Sequence, residues 1–248
     1  MDKAIKQKLK ELADKYETTG FLEADPSKFM HLVEGAANQE AAAFIASSLS
    51  FGSRSQFLPK IAEILDLAEM NPDRWVRQGM FENHFKPGDH QTFYRFYSRS
   101  DMNMFFKTYQ NIMHNCGSLG GLIKSDKCLS ALDAVKSISQ RFDNPPSHSP
   151  IPKDHRSACK RICMFLRWMV RDNSPVDIGL WAHLIDKKTL IMPLDTHVIH
   201  QSKNLGLLKN SNATMSSALK LTEAMKDVFP DDPVRADFAL FGLGVDGG

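Results

Sequence analysis

The chain has 248 residues, 42% of them hydrophobic, with 31 Lys and Arg against 29 Asp and Glu. That balance excludes a disordered or collagen-like chain and leaves ample length to bury a core. Four cysteines exclude a disulfide scaffold, and a formal charge of +2 excludes a protein that coats nucleic acid by bulk electrostatics.

The opening MDKAIKQKLKELADKY is charged and amphipathic, with Ile5, Leu9, Leu12 and Tyr16 at helical spacing. It predicts a helix over Lys3–Tyr16 and no secretory signal. No apolar run approaches the ~20 residues of a membrane span. With four unevenly spaced thiols, the expectation is a reduced, cytoplasmic protein and no membrane partner. Asp25-Pro26 opens a second helix, and residues 40–49, apolar on nearly every side, predict a buried one ending at Phe51-Gly52-Ser53. Further helices are predicted over 55–68, 71–78, 102–114, 126–142, 156–170, 196–205, 214–229 and 233–243. Only residues 91–97 have strand-like content, too short to found a sheet. The fold class is therefore all-α, with about ten helices in one unit, 1–248, of two helical lobes. The proline-rich stretch 143–154, DNPPSHSPIPKD, reads as a surface connector, or as the seam between lobes where a cleft would lie.

Two segments carry possible chemistry. Residues 153–171 hold six Lys or Arg and one acid, a local charge of +5 that exceeds the charge of the whole chain. Ile162, Phe165, Leu166 and Met169 fall on one helical side, and Lys160, Arg167 and Arg171 on the other. That second arc is either a solvated face or a phosphate-facing surface with a lysine at its centre. Further on, Pro193-Leu194-Asp195-Thr196-His197 heads a helix, which marks Asp195 as an N-cap. A capping carboxylate sits at the positive helix end and stays ionised, a useful property for stabilising a cation.

Other constellations are weaker. Cys159 and Cys163 lie four residues apart and His155 four before, but a zinc site needs a fourth ligand, so no metal and no cofactor is expected. His197 and His200 lack the H-E-x-x-H pattern. Residues 93–99, FYRFYSR, interleave aromatics with arginines, as either a nucleic-acid surface or a packed helix entry would.

In order, the lysine opening an apolar helix, the P-x-D-T-H block and the C-terminal block of Pro230, Arg235, Asp237 and Gly242 resemble the helix-hairpin-helix base-excision DNA glycosylases. Residues 46–56, ASSLSFGSRSQ, resemble that family's first buried helix and the loop after it. The last two blocks are similar to the endonuclease III branch. The 35 residues between Lys160 and Asp195 look closer to archaeal 8-oxoguanine glycosylases. The chain also resembles a bacterial family of conserved proteins of unknown function that share the K-R-x-x-M-F-L-R-W-M-V and P-L-D-T-H blocks.

The resemblance implies a two-lobed glycosylase-like fold and base-excision repair of damaged duplex DNA, with possible AP-lyase activity. Lys160 would be the Schiff-base nucleophile and Asp195 the catalytic carboxylate. Arg156, Ser157, Arg161, Arg167, Arg171, Arg54 and Gln56 would contact DNA, and Phe165, Trp168 and Trp181 would line a base pocket or else belong to the core. Cationic neighbours would depress the Lys160 pKa. No cysteine follows Asp237, so no iron–sulfur cluster is implied. The family's Gly-x-Gly before the lysine is replaced here by His155-Arg156-Ser157-Ala158-Cys159. That replacement keeps open an alternative, a non-catalytic nucleic-acid-binding or scaffold protein.

Overall fold

The computed structural model describes residues 1–142, 148–152, 156–209 and 212–246. It is mostly helical, as the periodicity predicts. In chain order the helices are α1 (Lys3–Tyr16), α2 (Lys28–His31), α3 (Ala36–Leu49), α4 (Arg54–Leu67), α5 (Pro72–Arg77) and α6 (Arg99–Cys116). They continue with α7 (Leu119–Ser125), α8 (Ala131–Arg141), α9 (Lys160–Val170), α10 (Thr196–Asn204), α11 (Met215–Met225) and α12 (Ala236–Asp246). Between α5 and α6, β1 (Thr92–Tyr94) pairs antiparallel with β2 (Tyr97–Ser98), so residues 91–97 form a hairpin after all. Among the described residues no helix is long and apolar enough to cross a membrane.

Side-chain caps set most of the helix starts. Asp2 accepts from the Ala4 amide, Asn71 from Arg74 with Pro72 in the first turn, and Thr214 from Ser217. Ser98 and Asp101 form a reciprocal capping box, which starts α6 three residues earlier than its apolar periodicity suggests. The predicted helix 126–142 begins only at Ala131, and the stretch before it holds an unpredicted helix, α7. Glycines at 120 and 121 hide α7 from a propensity reading. Its first amides, of Leu119 and Gly120, donate to the buried carboxylate of Glu40 on α3 at 2.8 and 3.3 Å.

The chain divides into two compact units whose segments interleave in sequence. One comprises Met1–Glu23, Leu129–Val135 and Asp154–Gly248; the other comprises Ala24–Cys128 and Lys136–Lys153. The connector 143–154, where a cleft was expected, lies largely outside the described residues.

In the first unit, α1 lies along α12. Gly242 makes that approach possible, because a Cβ there would sit 2.4 Å from the Tyr16 ring. Edge-to-face contacts of Tyr16 with Phe241, and of Phe21 with Phe238 and Phe241, fill the seam at 5.0–5.5 Å. In the second unit, α3 is buried from Glu40 to Leu49, matching its all-round apolar sequence. Beside it Trp75, Phe81, Phe85 and Phe106 form an aromatic cluster with centroids 4.9–6.4 Å apart.

Candidate active site at the head of α9

Helix α9 starts at Lys160, four residues later than its periodicity predicts. The Ala158 amide donates to the Ala213 carbonyl at 3.0 Å, and the Met215 amide to the Arg156 carbonyl at 2.9 Å. Ser157 thus pairs with Thr214 as an antiparallel bridge. Cys159 then turns the chain into the helix with a left-handed backbone, φ +44°. The result fixes Lys160 as the first helical residue, half-buried, while Arg156 and Ser157 stay exposed on the bridge. Helix α8 ends at Arg141, so residues 142–159 separate the two helices, a longer connection than a tight hairpin.

Asp195 is the N-cap of α10, as its sequence position predicts. Its Oδ1 accepts from the Val198 amide at 2.8 Å, and the buried Pro193 and Leu194 anchor the approach. Its charge therefore lies against the positive end of a nine-residue helix.

A third residue connects these two. Asp237, in the first turn of α12, accepts a hydrogen bond from Nη1 of Arg167. Burial pushes the Asp237 carboxyl up to about 6; Arg167 and Lys160 pull it down, and the negative charge of Asp195 adds to the rise. Asp237 thus feels Lys160 and Asp195 together, so the head of α9, the cap of α10 and the head of α12 share one electrostatic neighbourhood. Asp237 lies in the C-terminal block, where the sequence alone assigns it no role. Its signal was a carboxylate one residue inside an apolar helix, after the break at Asp232-Pro233.

Behind Asp237 runs a buried chain of charges. Nε of Arg167 reaches Asp177 at 3.3 Å, and Nη1 of Arg171 donates to the other Asp177 oxygen. Arg171 also forks onto Asp232 at 2.9–3.0 Å and donates to Glu17 at 2.6 Å. Both guanidinium groups lie over the Phe238 ring, 4.7 and 5.4 Å from its centroid. Burial pushes the Asp177 carboxyl up against the pull of both arginines. At Glu17 burial acts in the same sense, but Arg171 and Arg235 outweigh it and hold the carboxyl below the usual range.

This network corrects three expectations. Arg167 and Arg171 are 3% and 2% exposed and paired with carboxylates, so they offer nothing to a DNA phosphate. Their charges are neutralised internally, so they do not form the cationic surroundings meant to depress Lys160. Phe165 and Trp168 are fully buried and Trp181 nearly so, with Phe165 edge-on to Trp181 at 5.1 Å, and these three are core rather than base-pocket walls. Arg161 is half-buried beside Lys160. Arg54 and Gln56 are exposed in the first turn of α4, in the other unit.

Among the described residues no group of three His, Cys, Asp or Glu side chains is arranged to hold a metal, and His155 lies outside those residues. Cys159 and Cys163 are buried, and burial together with Cys159 pushes the Cys163 thiol far up, so it stays protonated. A hollow of about 320 Å³ lined by Val170, Asp172, His183 and Lys187 opens at the far end of α9 from Lys160.

The family model described as "Protein of unknown function (DUF2400)" matches residues 25–246, nearly the whole chain. The chain belongs to the DUF2400 family. The match takes in both units of this DUF2400 protein and contains Lys160, Asp195 and Asp237. Comparisons with curated proteins and with solved structures return no match.

Proposed function

We propose that this DUF2400 protein is a DNA base-excision glycosylase with AP-lyase activity, with Lys160 as nucleophile and Asp195 as activating carboxylate. The observation that carries the proposal is the electrostatic meeting of Lys160 and Asp195 at Asp237, between residues 35 positions apart. In the reaction, the neutral Lys160 amine attacks C1′ of a damaged nucleotide. The C1′–N bond breaks and the base leaves with the electron pair. One Nζ proton passes to the departing base and the other to O4′ as the C1′–O4′ bond opens, which leaves the Schiff base, from which β-elimination breaks the strand. Asp195, at the cap of α10, stabilises positive charge at C1′ and O4′ as it develops. The base has to leave the stack to be reached. Exposed Arg156 and Ser157 beside the lysine, with half-buried Arg161, are the residues proposed to meet the backbone phosphates there.

Borohydride tests this directly, because it reduces the Schiff base to a permanent link. Wild type is expected to form a covalent adduct with a duplex carrying an abasic or damaged site, and Lys160→Ala is not. No adduct with wild type, or equal adduct with Lys160→Ala, sinks the proposal.

One observation favours the second reading, a nucleic-acid-binding module without catalysis. The Ala158 amide, in the stretch that stands in place of the glycosylases' Gly-x-Gly, is already donated to Ala213. Duplex binding that is unchanged in Lys160→Ala and in Asp195→Asn, with no adduct from any of the three proteins, supports that module.

A further inference from the structure

The second unit displays a group of planar side chains that its fold does not need on the surface. The hairpin joining β1 to β2 turns through Arg95 and Phe96, where turn chemistry favours Asn-Gly. Arg95 accepts a left-handed backbone, φ +52°, to make that turn. Phe96 is 46% exposed and Phe51, in the loop after α3, is 38% exposed. Their rings meet edge-on at 5.4 Å, the Arg95 guanidinium lies 5.0 Å over Phe51, and His148 lies 5.3 Å from Phe96.

The arrangement is built rather than incidental. The Tyr94 hydroxyl donates to the Phe51 carbonyl, and Gln56 accepts from Nη1 of Arg95 at 3.3 Å. Gly52, at φ +90°, lets the loop pass under Arg95, where a Cβ would lie 2.7 Å from its Nη1. Residues 41–62 and 90–100, which supply both loops, contain no Asp or Glu and include Arg54, Lys60, Arg95 and Arg99.

We propose that Phe51, Arg95 and Phe96 form a stacking platform for unpaired nucleobases of a single nucleic-acid strand, with Arg54 and Arg95 meeting its phosphates. Flat π-faces and a planar guanidinium accept any base, and the arginine charge attracts the backbone. An apolar peptide or a membrane surface would use the phenylalanines but leave the planar arginine without a purpose. The site requires neither Lys160 nor a lesion, and so stands independently of the glycosylase reading.

The test is anisotropy of a fluorescein-labelled oligothymidylate of about 12 nucleotides, within the span such sites cover, with the full chain. Phe51→Ala/Phe96→Ala and Arg95→Ala are expected to weaken binding at least about tenfold, and Phe96→Tyr to leave it within about twofold. Arg95→Lys, which keeps the charge and loses the plane, is expected to weaken it by several-fold. Photocrosslinking of a 5-bromodeoxyuridine oligomer to wild type is expected to map to Phe51 or Phe96, and this readout holds if the double variant fails to fold. No binding by wild type, unchanged affinity in folded Phe51→Ala/Phe96→Ala, crosslinks elsewhere, or capture of an apolar peptide in place of the oligomer overturns the platform. Oligothymidylate binding that survives in Lys160→Ala, with no borohydride adduct in wild type, overturns the glycosylase reading and leaves the platform standing.

Discussion

Asp237 accepts a hydrogen bond from Arg167, and this pair ties the first turn of α12 to α9 two turns beyond Lys160. The same carboxylate senses Asp195 and Lys160, so it belongs both to the buried charge network and to the candidate site.

Its titration gives the first prediction. Burial raises the folded-state value to about 6, above the ordinary 3.8, so the native state holds a proton that the unfolded chain releases. Stability therefore gains as pH falls from about 7 through 6 towards 4, and loses as pH rises. Relative to Asp237→Asn, wild type is expected to gain about 2–3 kcal/mol between pH 7.5 and pH 4. Denaturant midpoints of both proteins across that range measure it, since acids remote from Asp237 are common to both. A flat difference refutes the assignment.

Arg171 separates structure from DNA contact. Arg171→Ala strands Asp177, Asp232 and Glu17 without their common partner and is expected to cost roughly 3–5 kcal/mol. Lys107→Ala, which breaks an exposed pair with Glu82, is expected to cost under about 1 kcal/mol. Chemical denaturation decides between them; an Arg171→Ala protein of full stability and weakened DNA affinity would restore the phosphate-contact role.

Asp195 has a capping role and a proposed chemical one, and two variants divide them. Asp195→Ala removes the acceptor for the Val198 amide and is expected to cost about 1 kcal/mol. Asp195→Asn keeps the cap, so stability should stay within about 0.5 kcal/mol. Borohydride trapping should nevertheless fall on the order of 10²-fold in that variant, through loss of the charge. Trapping by Asp195→Asn at the wild-type rate confines Asp195 to its cap.

At Gly242 a methyl group would meet the Tyr16 ring. Gly242→Ala is expected to destabilise by about 1–3 kcal/mol, and adding Tyr16→Val to recover part of that by making room. Thermal melts of the two single variants and the double give the coupling. Strict additivity would mean the two helices yield without strain.

The first helix and the cap at Asp195 were legible because each depends on neighbours within a few residues. Arg167 and Arg171 were misread because their carboxylate partners lie outside the segment that was read. Glu17, Asp177, Asp232 and Asp237 come from elsewhere in the chain, so a local charge of +5 over residues 153–171 counts cations whose carboxylates lie outside the window. Helix α7 was hidden by Gly120 and Gly121, and the Glu40 carboxylate that meets its first amides comes from 79 and 80 residues away. The hairpin of β1 and β2 escaped because Arg-Phe is not a turn signature.

The packing of α1 against α12 also orders the birth of the protein on the ribosome. Residues 3–16 emerge well before residues 236–246, which form the helix that covers their apolar stripe. At about 5–20 residues per second, Leu9 and Leu12 wait some ten seconds or more for a partner, while the second unit's segments up to Cys128 are already available to collapse. Helix α1 therefore meets its partner only after the second unit's segments up to Cys128 have been made.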